Sequence, residues 1–235
     1  MVTVAVVLFA GALIRSVFGF GDAAVAMPLL ALLSVRLELA VPLVGLAGMA
    51  VALMALLGGW ARVDRPALTR LTISTLLGIP FGVLLVTSAS EPVLMACLGT
   101  LLLLYGVYST VGPRLPRLRQ PAWAYPFGLA AGALGSAYNF NGVPVAVYGT
   151  MCGWSPDRFR GTLQAHFVIS SALVVAGQGI GGLWSREMLQ HFAVAVPGVL
   201  LAVPLGRALH RRVPAPAFRD LVSIVIAVLG ALLLL

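Results

Sequence analysis

Long stretches that are nearly free of charge constrain this sequence more than any other feature. About 20 consecutive apolar residues are needed to cross a bilayer as a helix, and short segments with Arg, Pro or Gly divide this chain into pieces of roughly that size or shorter. The stretches run over residues 2–18, 22–35, 41–59, 67–87, 92–111, 122–138, 143–153, 162–183, 188–206 and 219–235. The pattern predicts an all-α polytopic membrane protein.

The composition supports that class. Hydrophobic residues make up 60% of the 235 residues and charged residues 9%, against about 45–50% and about 25% in soluble domains. A soluble globule of this size could not cover so much apolar surface with polar groups. The composition therefore excludes an ordinary soluble enzyme, a disordered chain and a collagen-like chain.

The distribution of arginine predicts which loops face the cytoplasm. All 15 basic residues are arginine. Four segments carry most of them, namely 60–70, 112–121, 154–160 and 207–219, whereas 36–38, 88–91 and 186–187 are poor in net positive charge. Because cytoplasmic loops carry the excess of Arg and Lys, the first group is predicted inside and both termini outside. The net charge of +8 is thus assigned to membrane topology, and no nucleic-acid partner is predicted.

Two regions of the chain are predicted to form broken pairs of short helices. Segments 112–121 and 154–160 fall on the same side, so the apolar chain between them crosses an even number of times. A pair of short helices broken at Asn139-Phe140-Asn141-Gly142 satisfies this condition, and residues 2–35 would form a similar pair broken at Phe18-Gly19-Phe20-Gly21. Whether each pair crosses fully or re-enters is left open by the sequence.

The two halves of the chain resemble each other. Gly11-Ala12-Leu13 matches Gly132-Ala133-Leu134 at an offset of 121, and Pro80-Phe81-Gly82 matches Pro204-Leu205-Gly206 at an offset of 124. Matched loops have opposite charge bias, as 60–70 is basic whereas 184–190 is nearly neutral. We therefore expect two inverted-topology repeats, residues 1–121 and 122–235, in one integral membrane domain. Each would contain a broken pair and three long helices.

The matched breaks predict a site for a small anion. Helix N-termini that begin after each break would direct backbone N–H groups and the positive end of the helix dipole toward the centre. The candidate residues are Gly19, Phe20, Gly21, Asn139, Asn141 and Gly142. For the glycines, a hinge that only allows tight packing is an equal alternative. An amide side chain at membrane depth needs a partner, which favours a functional role for the asparagines.

Several ionisable or polar residues are further candidates. Arg15 and Asp22 are seven residues apart and would contact a substrate or a proton, or simply neutralise each other. His166 could carry a coupling proton, although a capping or interfacial role is the simpler interpretation. Gln164 lies beside it, and Arg160 could line a cytoplasmic mouth.

The remaining sequence motifs indicate helix packing and give no sign of a cofactor site or a catalytic site. The GxGxxA match at residues 19–24 lacks the soluble βαβ context that a dinucleotide site requires. The spacings Gly78–Gly82, Gly128–Gly132 and Gly177–Gly181 predict close helix packing. Without a metal-ligand cluster or a nucleophile–base motif, we predict no cofactor, no metal and no enzymatic activity.

The segment from Gly132 to Gln164 resembles the second signature of the sulfite exporter TauE/SafE family. That signature combines a Gly-rich N-x-G-P-P stretch and a tyrosine with a later W-x-x-x-R-x-R-x-T/S-L run. The first signature, a Gly-Phe-Gly break followed by a proline, is similar to residues 18–21 and Pro28. Two residues depart from the usual pattern. Val143 stands where family members often carry glycine or proline, and Asp22 stands where a glycine or another small residue is more usual. The resemblance implies a bacterial inner-membrane permease for small, often sulfur-containing anions.

The matched breaks and the repeats predict a secondary transporter for a small anion, and the resemblance implies that this anion is sulfite, an organosulfonate or a related sulfur-containing or carboxylate anion. Arg15 would be a countercharge, while Pro144 and Tyr148 would complete the binding site around the asparagines. An anion channel and a non-transporting membrane component are the alternatives. The expected partners are the anion and the lipid bilayer, and a homodimer is left open.

Overall fold

The computed structural model describes residues 1–19, 21–56, 63–112, 116–210 and 215–234. These residues form ten α-helices and one short 3-10 turn, Pro121–Trp123, and they contain no strand. The helices are α1 (Val2–Phe18), α2 (Asp22–Leu32), α3 (Leu37–Leu56), α4 (Arg65–Ser88), α5 (Glu91–Val111), α6 (Ala124–Tyr138), α7 (Gly142–Met151), α8 (Pro156–Ile180), α9 (Arg186–His210) and α10 (Ala215–Leu232). Each predicted apolar stretch overlaps one helix, and both predicted breaks are confirmed.

The start of α8 corrects one boundary. The sequence predicted a loop over residues 154–160, but α8 begins at Pro156, so Arg158 and Arg160 lie on its first turns. Pro is favoured at the first position of a helix, where its missing N–H costs no hydrogen bond. The prediction used charge to divide the chain and therefore placed the boundary six residues late.

Five of the described helices are long and apolar enough to cross a membrane. They are α4, α5, α8, most of α3 and nearly all of α9. α1 and α2 are shorter apolar helices. The chain is therefore a multi-pass membrane protein.

The first broken pair, α1 and α2, is a helical hairpin. Gly11 of α1 lies against the backbone of Asp22 and the side chain of Ala26, while Arg15 contacts Asp22. The 11 residues of α2 span only about 16 Å at about 1.5 Å per residue. α7 has 10 residues and packs beside α6 in the second pair. Helices of this length reach about halfway through a hydrocarbon core of about 30 Å, so a re-entrant geometry fits both pairs.

The basic segments meet at one end of the molecule. Arg158 of α8 forms an ion pair with Asp64 (2.6 Å), and the backbone N–H of Leu118 donates to Met151. Arg207 donates to the carbonyl of Met54, near the end of α3. Arg36, just before α3, pairs with Glu187 (3.3 Å) at the opposite end. The contacts group these loops as the charge distribution predicted.

Glycines allow α4 and α6 to approach until their backbones touch. A Cβ on Gly78 would overlap the carbonyl oxygen of Leu129, and a Cβ on Gly132 would overlap that of Thr75. Gly177 of α8 and Gly181, the residue after α8, pack closely on side chains of α4. The predicted packing role of the three GxxxG spacings is confirmed.

The helix contacts occur in matching pairs. α4 packs on α6 as α9 packs on α1, and α4 packs on α8 as α9 packs on α3. α5 and α10 pack on each other in opposite directions, since Gly106 faces Ala227 while Gly99 faces Gly230. α1 and α9 run in the same direction, because Phe9 lies near Gly198 and Ser16 near Gly206.

We predict that Gly132→Ala destabilises the protein by about 1–3 kcal/mol, the usual cost of overpacking. The added methyl group would meet the backbone of Thr75 and lie 2.9 Å from the Cα of Gly78. The measurement is the midpoint of thermal unfolding of the purified protein in detergent.

The matched control is Gly198→Ala in α9. A Cβ there would have its nearest neighbour, a ring carbon of Phe9, at 3.8 Å, which is an ordinary contact. Because Ala is the better helix former, this variant should be neutral or more stable by up to about 1 kcal/mol. Equal behaviour of the two variants would contradict the packing role of Gly132.

Candidate functional site

A small cavity lies between the two helix breaks. Its wall combines the first turn of α2, the second break with the first turn of α7, and one aromatic side chain each from α5 and α8. The lining residues are Gly21, Asp22, Ala23, Ala24, Tyr105, Asn139, Phe140, Asn141, Gly142, Val143 and Phe167. Five of the residues that the sequence singled out thus meet at one place, namely Gly21, Asp22, Asn139, Asn141 and Gly142.

The glycines of the first break are required by the backbone. Gly19 ends α1 with φ 87° and donates its N–H to the carbonyl of Arg15 (2.6 Å), while Gly21 precedes α2 with φ 99°. Both values lie in the left-handed region that glycine adopts without strain. The backbone conformation therefore favours glycine at both positions, beside any role in binding. Phe20 lies outside the described residues.

Asn139 ends α6 in the same conformation, with φ 60°. Its side-chain Nδ2 donates to the carbonyl of Val41 in α3 (2.7 Å), and its Oδ1 lies beside Gly45. Asparagine is among the few non-glycine residues that tolerate this conformation. The side chain therefore fixes the second break to a helix of the first half of the chain.

Asn141 is 7% exposed and precedes the first residue of α7. Its Nδ2 donates to the Oγ of Ser170 in α8 (2.7 Å). The next residue, Gly142, packs so closely on Phe167 that a Cβ would overlap the ring. The two residues therefore hold the start of α7 against α8.

Two helix N-termini face the cavity. α2 begins after Gly21 and α7 begins after Asn141, and neither helix has a side-chain cap hydrogen bond at that end. The first backbone N–H groups of a helix lack an acceptor within the helix, and the helix dipole adds a partial positive charge there. The cavity therefore offers hydrogen-bond donors from two directions, which is suited to an anion.

Arg15 and Asp22 form a buried ion pair at the edge of this cavity. Nη1 of Arg15 lies 2.7 Å from Oδ2 of Asp22, and the two side chains are 6% and 14% exposed. The guanidinium group stacks on Phe167, with Cζ 4.7 Å from the ring centroid. Nη2 of Arg15 is buried without a hydrogen-bond partner among the described residues. Gly48 of α3 leaves room for the pair.

The predicted coupling and gate residues occupy three different places. Gln164 donates from Nε2 to the carbonyl of Gly19 (3.4 Å), so it contacts the first break. Arg160 is exposed on the first turns of α8. His166 is fully buried and bonds through Nε2 to Oγ1 of Thr75 in α4 (3.0 Å).

The partner of His166 indicates its tautomer. The single hydroxyl proton of Thr75 is donated to the carbonyl of Gly128. The hydroxyl therefore accepts from His166, which places the ring proton on Nε2. Nδ1 is buried without a partner in the described part of the chain. His166 thus links α8 to α4 in the core and neither caps a helix nor lies at an interface.

Pro144 and Tyr148 are buried in α7 but do not line the cavity. The ring of Tyr148 lies between Phe127 and Trp154, with centroids 5.6 Å and 5.5 Å away. It belongs to an apolar cluster toward the end of α7. The structure therefore separates these two residues from the asparagines with which the sequence grouped them.

Three residues at the site, Tyr105, Phe167 and Ser170, were not predicted from the sequence. Tyr105 and Phe167 line the cavity, and their rings are indistinguishable in the sequence from those of packing residues. Ser170 supplies the acceptor for Asn141. A signal for α8 did exist, because Gln164, Ser171 and Gln178 recur every seven residues and mark one polar face in an apolar helix.

The cavity is small in this conformation. Its volume is about 20 Å³, and a cavity needs roughly 10–15 Å³ to hold one water molecule. The site therefore has room for about one water molecule as it stands.

Comparison with known proteins identifies the family of this chain. The family model described as "Sulfite exporter TauE/SafE" matches residues 3–233. The curated proteins contain no match, and neither do the solved structures. Since the family match covers nearly the whole chain, the resemblance seen in the signatures is confirmed, and the protein belongs to the sulfite exporter TauE/SafE family.

Proposed function

We propose that this chain is a secondary transporter that moves a small anion across the bacterial inner membrane by alternating access. The anion would be sulfite, an organosulfonate or a related sulfur-containing or carboxylate anion. Membership of a family of anion-exporting permeases supports the general class. One observation carries the proposal: the N-termini of α2 and α7 face a single cavity beside Arg15, Asn139 and Asn141.

The packing of the helices supports two inverted repeats, α1–α5 and α6–α10. α4 runs alongside α6, since Gly128 lies near Leu71 and Gly82 near Ser136. α9 runs alongside α1 in the equivalent pair. α9 starts at the Arg36–Glu187 end, whereas α8 and α4 start at the end where Arg158 meets Asp64. Equivalent helices would therefore run in opposite directions, as in many secondary transporters.

The size of the cavity favours a carrier over a channel. A channel needs a continuous path, whereas the site has room for about one water molecule. In our proposal, one repeat rocks against the other and opens the cavity to each side in turn. The anion is held by the exposed N–H groups of α2 and α7 while both sides are closed.

The same geometry supports an orientation with both termini outside. The end with Arg158, Arg207 and the segment around Leu118 is the basic end and would face the cytoplasm. α1 begins at the other end, because it runs parallel to α9. α10 would end there too, because it runs antiparallel to α5.

We predict that a reporter fused to the C-terminus is active only if it functions in the periplasm. Alkaline phosphatase should be active at this position, and a fluorescent protein that folds only in the cytoplasm should be dark. A fusion after Arg119, in the basic segment before α6, is the control and should give the reverse result. A cytoplasmic C-terminus would contradict the orientation and require a different assignment of the repeats.

We predict that Asn141→Ala lowers anion flux at least about tenfold, which corresponds to about 1.4 kcal/mol. The change removes the hydrogen bond to Ser170 and the amide from the cavity wall. The assay is counterflow in proteoliposomes: vesicles are loaded with unlabelled sulfite, thiosulfate, methanesulfonate or acetate, and uptake of labelled sulfite is followed.

The control is Gln178→Ala. Gln178 is also a fully buried amide, but it bonds to the carbonyl of Ser136 and does not line the cavity. A folded Gln178→Ala protein should retain counterflow. Unchanged flux in Asn141→Ala would remove this residue from the binding site. Absence of counterflow in the folded wild-type protein with every anion would refute the proposed carrier function.

A further inference from the structure

We propose that Asp22 is a proton-binding site and that the protein takes up one proton at this carboxylate for each anion it binds. The inference rests on the proposed transport function and assigns its coupling ion. It is drawn from the charges around the cavity and from the way in which Arg15 is held.

The starting state of the site is electrically neutral. Asp22 lines the cavity, and Arg15 from α1 neutralises it at 2.7 Å. The pair is largely buried, so its charges have little contact with water. A monovalent anion that entered this state would leave a net charge of −1 in a region of low dielectric constant. Burial of an uncompensated charge is strongly unfavourable.

The other elements packed on α2 supply no second cation among the described residues. α3 presents Gly48 to the ion pair, and the described side chains of α10, over residues 224–234, are all apolar. α5 contributes Tyr105 to the cavity, a titratable group that is neutral in its ordinary form. α7 and α8 contribute the amide of Asn141 and the ring of Phe167. His166 of α8 is directed to Thr75 of α4 instead.

A proton on Asp22 would restore the balance. A proton from water adds to a carboxylate oxygen of Asp22, and the ion pair with Arg15 is lost. The anion then takes the place of the carboxylate as the partner of Arg15, so the site again contains one positive and one negative charge. No other group needs to change its charge.

Arg15 is prepared for this exchange. Its Nη2 is already buried without a partner among the described residues, and Nη1 is released when Asp22 is protonated. Two neighbouring N–H donors of a guanidinium group match two oxygens of a sulfite, sulfonate or carboxylate. Phe167 holds the guanidinium from one face, with Cζ 4.7 Å from the ring centroid. Phe167 also lines the cavity. The guanidinium group of Arg15 therefore stays beside the bound anion after its ion pair with Asp22 is lost.

The test is isothermal titration of the purified protein with sulfite between pH 5.5 and pH 8. Titrations in two buffers of different ionisation enthalpy measure the protons taken up per sulfite. The wild-type protein should take up about one proton more than Asp22→Asn, and the ratio of the two Kd values should rise about tenfold per pH unit where Asp22 is ionised in the free protein. Sulfite itself titrates in this range, but that contribution is the same for both proteins and cancels.

Asp64→Asn is the matched control. Asp64 is also a largely buried aspartate in an ion pair with an arginine, at 2.6 Å from Arg158, but it lies at the basic end outside the cavity. This variant should keep the proton uptake of the wild type. Equal uptake by the wild type and Asp22→Asn would overturn the inference, and so would loss of uptake in Asp64→Asn alone.

A second measurement does not depend on a variant that folds. Infrared difference spectra of the wild-type protein, with and without sulfite, should show a new protonated carboxyl band that shifts when aspartate carboxyl carbons are labelled with ¹³C. Absence of that band in a protein that binds sulfite would overturn the inference while the transport function stands. Absence of sulfite binding and of counterflow with every anion tested would instead refute the proposed function.

Discussion

The constraint on which this structure depends is the need to pair every backbone polar group inside a bilayer. A continuous helix meets it within itself, but a helix that stops at membrane depth leaves N–H and C=O groups exposed. This chain stops twice, after Phe18 and after Tyr138. Each break is covered by the other half of the molecule: Gln164 bonds to the carbonyl of Gly19, and Asn139 bonds to the carbonyl of Val41. The first N–H groups of α2 and α7, which receive no side-chain cap, lie at the cavity between the breaks.

The close contact of α4 with α6 is a second consequence of that constraint. Apolar side chains gain little by association in lipid, so helices there adhere through van der Waals contact and hydrogen bonds. Gly78 and Gly132 bring the two backbones together, and Ser136 donates across the contact to the carbonyl of Ile79. Because α6 ends at Asn139, its contact with α4 helps to fix the position of the second break. The position of the cavity wall at the second break therefore depends on residues that do not line the cavity.

Much of the fold was predictable because its determinants are local. The ten helices follow from apolar length, and the breaks follow from Gly19, Gly21 and the Asn139–Gly142 segment. The partners of these residues were not predictable, since Phe167 and Ser170 reach the site through the crossing of α8 with the two hairpins. Tyr148 shows the opposite failure, because its nearness in sequence to Asn141 suggested a shared site that the direction of α7 excludes. The cap residues Gly19 and Asn139 are 120 residues apart, one fewer than the offset of the sequence match. A register difference of this size can be seen only once the helix ends are known.

At both breaks the first helix ends in a left-handed residue, Gly19 or Asn139, but the chemistry of the two breaks differs, and this difference bears on mechanism. The first carries charges, Arg15 and Asp22, whereas the second carries the amides Asn139 and Asn141. The contacts between them cross from one half of the chain to the other, as when Phe167 of α8 stacks on Arg15 of α1. Any motion of one half against the other must therefore alter the environment of the single buried ion pair among the described residues. A symmetric site made only of amides contains no ionisable group, so its charge would not change with that motion. Because the ion pair lies at the first break only, the charges of Arg15 and Asp22 and the relative position of the two halves depend on each other.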